Sequence, residues 1–329
     1  MKPSRREREG MALLTVLLLV AVMAALSVVM LDDIRFSVRR ATNASAMDQA
    51  QWYGLGAETL ARSQVRRLMD QNSSRTPLEP EWNGRTFDFP VDEGGAIRVT
   101  VRDGQACFNL NSVVTGQDEA LARNDDGVRQ FLALSRAVGV AEARARAMAD
   151  GLVDWIDTDS RSEPLGGEDG AYAGQATPYR TGGTLLAEVS ELRAVRGVSA
   201  EDYARLRPHL CALPVTGVTG INVNTLTPDQ AVLLVMMTDG RLSDSAARRV
   251  IAARPPGGWT DTAAFWGQPA LAGLTPSNAA YDQAGVFTRF FALDARVAHG
   301  GAEAVMSALI EAVPGGAVRT VARRWTTDE

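Results

Sequence analysis

The chain has 329 residues, 46% of them hydrophobic and 22% charged, with a formal net charge of −5. That length allows more than one domain and a sizeable core, and the balance is that of a folded chain. Net acidity excludes a global basic field for collecting nucleic acid, and Cys107 and Cys211, far apart and outside any CxxC spacing, exclude a zinc ribbon or a thioredoxin motif.

The first predicted element is a long helix. Met11 to Leu31 is a run without a charged residue, with Thr15 and Ser27 its only polar members. At about 1.5 Å per residue such a run just spans a hydrocarbon core of roughly 30 Å. Lys2, Arg5, Arg6 and Arg8 precede it and Asp32 and Asp33 follow, so the positive-inside rule leaves the short N-terminus in the cytoplasm and the bulk outside. A secretory signal peptide would have a shorter apolar region and a small-x-small cleavage site after it. Beyond Asp33, Ile34, Val38, Ala41, Ala44, Met47, Trp52, Leu55, Leu60, Val65 and Leu68 recur at broadly helical spacing, with no Gly before Gly54 and no Pro before Pro77. One helix from Met11 to Asp70, apolar first and amphipathic second, is the economical reading.

The basic leader ending at Gly10, the following "MALLTVLLLVAVMAALS" and the long helix resemble the prepilin class of type IV pili and type II secretion pseudopili. The resemblance implies cleavage between Gly10 and Met11 by a prepilin peptidase and methylation of the new N-terminus. Most members carry Glu at the fifth mature position, whereas here that position is Thr15. A carboxylate without a partner is costly in apolar surroundings, while a Thr hydroxyl can be satisfied on its own helix backbone. Lack of the acid together with the length makes the chain similar to the minor pseudopilin K family of type II secretion. That implies a Gram-negative inner membrane anchor, single-pass, with the bulk of the chain in the periplasm, where Cys107 and Cys211 are expected to form a disulfide.

After a turn-rich loop from Gln71 to Gly84, "RTFDFPV" (Arg85 to Val91) and "AIRVTVRDGQACFNLN" (Ala96 to Asn111) alternate as an antiparallel hairpin. The C-terminal "VFTRFFALDARVAH", "AEAVMSALIEAV" and "AVRTVARRW" read as three more strands, although Ala302 to Val313 also suits a helix on propensity. Between these groups the pattern is helical. "CFNLNSVVT" (Cys107 to Thr115) has a partner in "GINVNTLTP" (Gly220 to Pro228), each followed by two helical stretches, which suggests a duplication at an offset of 113 residues. Each unit is similar to a helix-hairpin-helix module, but "LSRAVGVA" and "MMTDGRLS" lack the tight G-x-G hairpin that presents amides to phosphate.

"DGLVDWIDTDSRSEPLGGEDGAY" (Asp150 to Tyr172) holds seven acids against the single base Arg161. Dense carboxylates on one loop are hard oxygen ligands suited to calcium rather than zinc, although the spacing is not that of an EF-hand. Left to itself such a loop is usually solvated; Trp155, Ile156, Leu165 and Tyr172 argue that this one is ordered. The resemblance to the K family adds calcium binding in such a segment, with Asp157, Asp159, Glu168 and Asp169 as expected ligands, Asp154 as a further one, and "TDGRLSD" (Thr238 to Asp244) as an extra source. No G-x-S-x-G, H-E-x-x-H or P-loop accompanies His209 or His299, so an enzyme is not expected.

The expected fold is α+β: a pilin-like long N-terminal helix packed on an antiparallel sheet, with a large α-helical insertion of two helix-hairpin-helix-like units. The expected divisions are a leader (1–10), a transmembrane half of the helix (11–31), the amphipathic helix and first strands (32–111), the insertion (112–285) and the returning strands (286–329). The resemblance implies a tip subunit that nucleates and caps the pseudopilus for protein export. Its implied partners are minor pseudopilins I and J, with H below, and the prepilin peptidase; nucleic acid is not among them. The reading from another class is a signal-anchored periplasmic module that binds nucleic acid through its helix-hairpin-helix units.

Overall fold

The computed structural model describes residues 5–326, save 73, 118, 119 and 176; Lys2 and the rest of residues 1–4 of the expected leader lie outside the described residues. Helix α1 runs from Arg5 to Gln71, 67 residues, about 100 Å at 1.5 Å each. It begins earlier than Met11 and continues through Gly10, since nothing in Arg5–Gly10 breaks a helix strongly enough to stop one already propagating. Its apolar part has a mean hydropathy of 2.9 over the best 18-residue window, long and apolar enough to cross a membrane. Thr15 Oγ1 donates to Met11 O (3.1 Å) and Ser27 Oγ to Met23 O (2.8 Å), so both hydroxyls of the run find acceptors one turn back.

From Ala46 onward α1 buries one face through Ala46, Ala50, Ala57, Ala61, Val65 and Leu68. The alanines let the helix backbone lie close to the sheet beneath it. That sheet has five strands, β1 (Thr86–Val91), β2 (Gly95–Asp103), β3 (Phe290–His299), β4 (Ala302–Ala312) and β5 (Val318–Arg324), in that spatial order and antiparallel throughout. Alternate residues, Ile97 and Val99 on β2, Phe291, Leu293, Ala295 and Val297 on β3, and Ala304, Met306, Ala308 and Ile310 on β4, meet α1 in one core. The α+β class is therefore as expected. Ala302–Ala312 is a strand because β3 and β5 flank it on both sides, and cross-strand packing overrides the helix propensity of its alanines. β2 ends at Asp103 rather than running on to Asn111. There Asp103 turns the chain off the sheet: its Oδ1 accepts from Gln105 N (2.8 Å) and its Oδ2 from the hydroxyls of Thr225 (2.6 Å) and Thr288 (2.8 Å).

One acid lies inside this core. The Glu58 side chain is 1% exposed and is held by Arg323 and Thr320 of β5, with Arg62 3.8 Å away. Burial pulls its carboxyl upward, but the hydrogen bonds and charges of Arg323, Thr320 and Arg62 outweigh it and hold the pKa below the ordinary value. Glu58→Ala is expected to lower stability by about 2 kcal/mol, less than the roughly 3–5 of a fully buried pair because Arg323 is 41% exposed. Thermal melting checks this, and an unchanged midpoint would mean that the tether between helix and sheet contributes nothing.

Residues between β2 and β3 form two helical units. The first contains α2 (Asp125–Ala137), α3 (Glu142–Ile156), the short α4 (Asp169–Ala173) and α5 (Ala200–Leu206); the second contains α6 (Ala231–Met237) and α7 (Asp244–Ala252), followed by further short turns of helix. Each unit opens on the same device. Asn109 Oδ1 accepts from Asn111 N, and Asn222 Oδ1 from Asn224 N. The second Asn then clamps a distant backbone residue in both directions: Asn111 with Leu186 N and O, Asn224 with Trp259 N and O, at 2.8–3.0 Å. Phe108–Asn109 pairs in parallel with Leu210–Cys211, and Ile221–Asn222 with Ala284–Gly285, closing each unit at its own end. The repeat therefore extends to hydrogen bonding, but its offset is not constant: α3 and α7 start 102 residues apart, because the first unit inserts a small strand pair (Val114–Thr115 with Ala122–Arg123) before α2. The units pack together through α2 and α6, with Gln130 and Gln283 exchanging amide hydrogen bonds at 2.7 and 3.1 Å.

Cys107 and Cys211 are joined in a disulfide, their Cα atoms 5.8 Å apart. It lies beside the Phe108–Asn109 pairing and staples the first unit at its root. The second helical unit sits near the C-terminal end of α1, remote from the apolar segment: Arg75 bonds Gly257 O, Thr76 N bonds Val286 O, and Asn83 bonds Thr225 O. The first is tied to the end of β5, where Arg324 pairs with Glu188 (2.7 Å).

Candidate functional site

The acidic segment begins where α3 ends. α3 stops at Ile156 and Asp157 turns extended (φ −66°, ψ 171°), which starts a loop that folds back over the last turn of the helix. Asp154, on that turn and fully buried, is the post around which the loop is wound. Its carboxylate accepts from Glu163 N (2.9 Å) and from the backbone of Gly167. The loop passes so close that a Cβ on Gly166 would lie 2.1 Å from Asp154 Oδ2; only glycine fits. Asp159 Oδ1 accepts from Arg161 N (2.7 Å), tightening the turn between them.

This winding brings three carboxylates together. Asp157, Asp159 and Glu168 each place one oxygen within 4.8 Å of the others. Oxygens around a calcium ion at about 2.3–2.6 Å are at most roughly 5 Å apart, so one ion fits among them. Asp157 Oδ1 and Glu168 Oε1 are buried and have no hydrogen-bond partner among the described residues, an arrangement that a cation would satisfy and that is costly without one. Burial, followed by the charges of Asp159, Glu168, Asp154 and Glu163, pushes Asp157 up to about 7. Burial, with neighbouring acids adding to it, also raises Asp154 and Glu168. The set is hard, anionic oxygen with no nitrogen or sulfur donor among the three, which suits calcium and not zinc.

The other expected ligands stand elsewhere. Asp169 does not join the three: its Oδ1 accepts from Thr181 N and Oγ1 (both 3.0 Å), tying the following loop to α4. Asp154 spends its oxygens on backbone amides and shapes the site from behind. Thr238–Asp244 forms the α6–α7 turn, where Thr238 Oγ1 donates to Leu234 O and accepts from Leu242 N, and Asp244 pairs with Arg248. Leu165 is 52% exposed rather than buried, since its segment crosses the outside of the loop, whereas Trp155, Ile156 and Tyr172 are buried as expected. Trp155, Tyr172 and Tyr179 pack edge-to-face or tilted, with ring centroids 5.1–6.0 Å apart. Reading the segment alone misses Arg123, which reaches Asp150 (3.2 Å) and Glu163 (3.0 Å) from before α2. It neutralises the outer acids and, among the described residues, leaves the inner three without a base; its distance along the chain leaves no local signal.

The two helical units are also the part of the chain that a known family description covers. The family described as "Type II secretion system (T2SS), protein K" matches residues 106–215 and, by a second description of the same protein, residues 221–286, together more than half of the chain. These two matches coincide with the two units. Type II secretion system protein K of Klebsiella pneumoniae is 36% identical over 99% of this chain and 100% of its own length. The Aeromonas hydrophila protein of the same description is 37% identical over 81% of this chain and 82% of its own. A chain of the solved GspK-GspI-GspJ complex from enterotoxigenic Escherichia coli is 32% identical and superposes with a TM-score of 0.73 over 84% of this chain and 95% of that one. This chain belongs to the type II secretion system protein K family, whose members are minor pseudopilins.

Proposed function

We propose that this chain sits at the tip of the type II secretion pseudopilus, where it nucleates assembly with I-type and J-type minor pseudopilins above an H-type subunit. Prepilin peptidase would release it by cutting between Gly10 and Met11 and methylating Met11, leaving a single-pass inner-membrane helix and a periplasmic body. The observation that carries the capping role is the position of the second helical unit at the end of α1 remote from the membrane-spanning run. A subunit added above would have to displace it. Thr15 supports the same reading: its hydroxyl is satisfied by Met11 O within the helix and so makes no demand on the amine of a neighbour. We assign Asp157, Asp159 and Glu168 as calcium ligands, oriented by the loop wound on Asp154. Calcium would supply only charge there, neutralising three carboxylates and locking the loop to the end of α3.

Two measurements test the processing and the partners. Mass spectrometry of the N-terminus of the protein recovered from membranes is expected to find N-methyl-Met at Met11; an intact Met1 would refute processing. Co-production with I-type and J-type subunits is expected to recover a three-chain complex, and failure to recover either would remove the tip assignment.

A further inference from the structure

Between its apolar run and the body of the protein, α1 is a bare stalk. Every residue from Asp32 to Ser45 is exposed, and burial against the sheet begins only at Ala46. These 14 residues cover about 21 Å at 1.5 Å each. They carry Arg35, Arg39 and Arg40 against Asp32 and Asp33, a net charge of +1 in a chain whose formal net charge is −5. Arginine on this side runs against the positive-inside rule, which counts Lys and Arg within about 15–20 residues of each end of a span. Lys2, Arg5, Arg6 and Arg8 stand at the cytoplasmic end and these three at the outer end. The cytoplasmic four all lie in the leader. Cleavage after Gly10 would leave the outer three as the only basic side chains near the span.

Height, direction and partnership together decide what these arginines meet. Arg35 lies four residues past Leu31, about 6 Å along the helix, inside the roughly 5–7 Å of headgroup region that flanks the hydrocarbon core on each side. Arg39 and Arg40 lie about 12–14 Å out. Helical side chains lean toward the N-terminus, which here is the membrane side, so both reach back about one turn toward the lipid surface. Asp32 is 3.6 Å from Arg35 and offsets it. Asp33 lies about 120° round the helix from Arg39 and does not. Among the described residues, neither Arg39 nor Arg40 has a carboxylate partner. Arg40 instead lies over the Phe36 ring at 5.7 Å, and Phe36 is 63% exposed. An aromatic ring this near the membrane is better placed among headgroups than in water, and it carries the guanidinium with it.

We propose that Arg35, Arg39 and Arg40 bind the phosphates of anionic phospholipid on the periplasmic face of the membrane, and so fix how deep the processed helix sits. Guanidinium forks match phosphate oxygens two at a time, and three of them on one short stretch can grip more than one headgroup. The proposal rests on the reading of α1 as a single-pass helix with its body in the periplasm, and adds the ligand that the stalk takes.

The test takes the full chain from membranes into mild detergent and titrates it with dioleoylphosphatidylglycerol or dioleoylphosphatidylcholine under native mass spectrometry. The same spectrum reports by mass whether the leader is present, so each variant is compared in the same form. The processed chain is expected to hold phosphatidylglycerol about tenfold or more tightly than phosphatidylcholine, each unpaired arginine contributing about fivefold. Arg35→Gln/Arg39→Gln/Arg40→Gln is expected to remove that preference with an unchanged melting midpoint, since the stalk touches nothing in the body. The triple Lys variant, which keeps the charge, is expected to retain most of it. Equal affinity for the two lipids in the unsubstituted chain, or a preference that survives the triple Gln change, would overturn the proposal. If that variant keeps its lipid and loses I-type or J-type partners instead, the stalk is a protein contact and the proposal fails. Alkaline carbonate separates this from the reading beneath it. A chain that stays in the membrane pellet without a lipid preference leaves the single-pass reading standing, whereas a chain released by carbonate takes both down.

Discussion

Adding calcium to the full chain is expected to raise its melting temperature, and Asp157→Asn to abolish that rise while making the calcium-free protein more stable. The opposite signs follow from one fact, that Asp157 is buried among like charges without a base. In EDTA at pH 7.5 its carboxylate is an uncompensated cost, and the neutral amide removes it. Each tenfold change in proton affinity between the folded and unfolded chain corresponds to about 1.4 kcal/mol; discounted for repulsion shared across the cluster, the gain is on the order of 2 kcal/mol. With calcium at about 100 times its Kd, the unsubstituted protein gains about 2.7 kcal/mol that the variant cannot. The pH dependence is worked out the same way. The pKa of Asp157 is raised in the folded state, from 3.8 to about 7, so in EDTA the stability it confers is full below about pH 4 and is lost as pH rises through about 7. Calcium, which binds the deprotonated form, should flatten or reverse that fall. Differential scanning fluorimetry from acid to mildly alkaline pH, with and without calcium, measures all of this. A calcium-independent melt in the unsubstituted protein would remove the metal assignment.

Breaking the Cys107–Cys211 bond should have an effect of similar size in a different place. The bond closes a loop with a sequence separation of 104 residues, and in the chain-entropy model a loop of that length contributes on the order of 4–5 kcal/mol. The loss should fall on the first helical unit, whose two ends it joins, and not on the five-stranded sheet. Hydrogen exchange on the Cys107→Ser/Cys211→Ser variant is expected to accelerate across 107–215 while β3 and β4 stay protected. Because the acidic segment lies inside this loop, calcium affinity is expected to weaken in the same variant. Equal protection in both units would show that the staple adds nothing beyond the Phe108–Asn109 pairing.

Much of this was legible in the residues because the signals are local and periodic. An uncharged run of membrane-spanning length, helical spacing without Gly or Pro, and alternation between turns each report on a few neighbouring positions. The paired N-x-N starts also proved informative, since Asn109 and Asn222 begin the same clamp in both units. Less legible was where regularity stops. β2 reads as continuing to Asn111, yet it ends at Asp103, whose carboxylate turns the chain and is held by Thr225 and Thr288 from far along the sequence. Leu165 reads as a core residue, but its segment crosses the outside of the loop.

By itself the sequence determined the long helix, an apolar run long enough to cross a membrane, the α+β class, the repeated unit and the presence of a dense acidic loop, each of which is a property of residue type and spacing. Only the tertiary structure decided which acids converge. Asp157, Asp159 and Glu168 meet because Asp154 winds the loop back over α3, Asp169 is drawn off by Thr181, and Arg123 arrives from another element to neutralise Glu163. It also decided that α1 covers β3 and β4 and leaves Phe87 and Phe89 of β1 open. A carboxylate's partners and an aromatic's cover are set by what the chain brings near from a distance, and no window of sequence contains that.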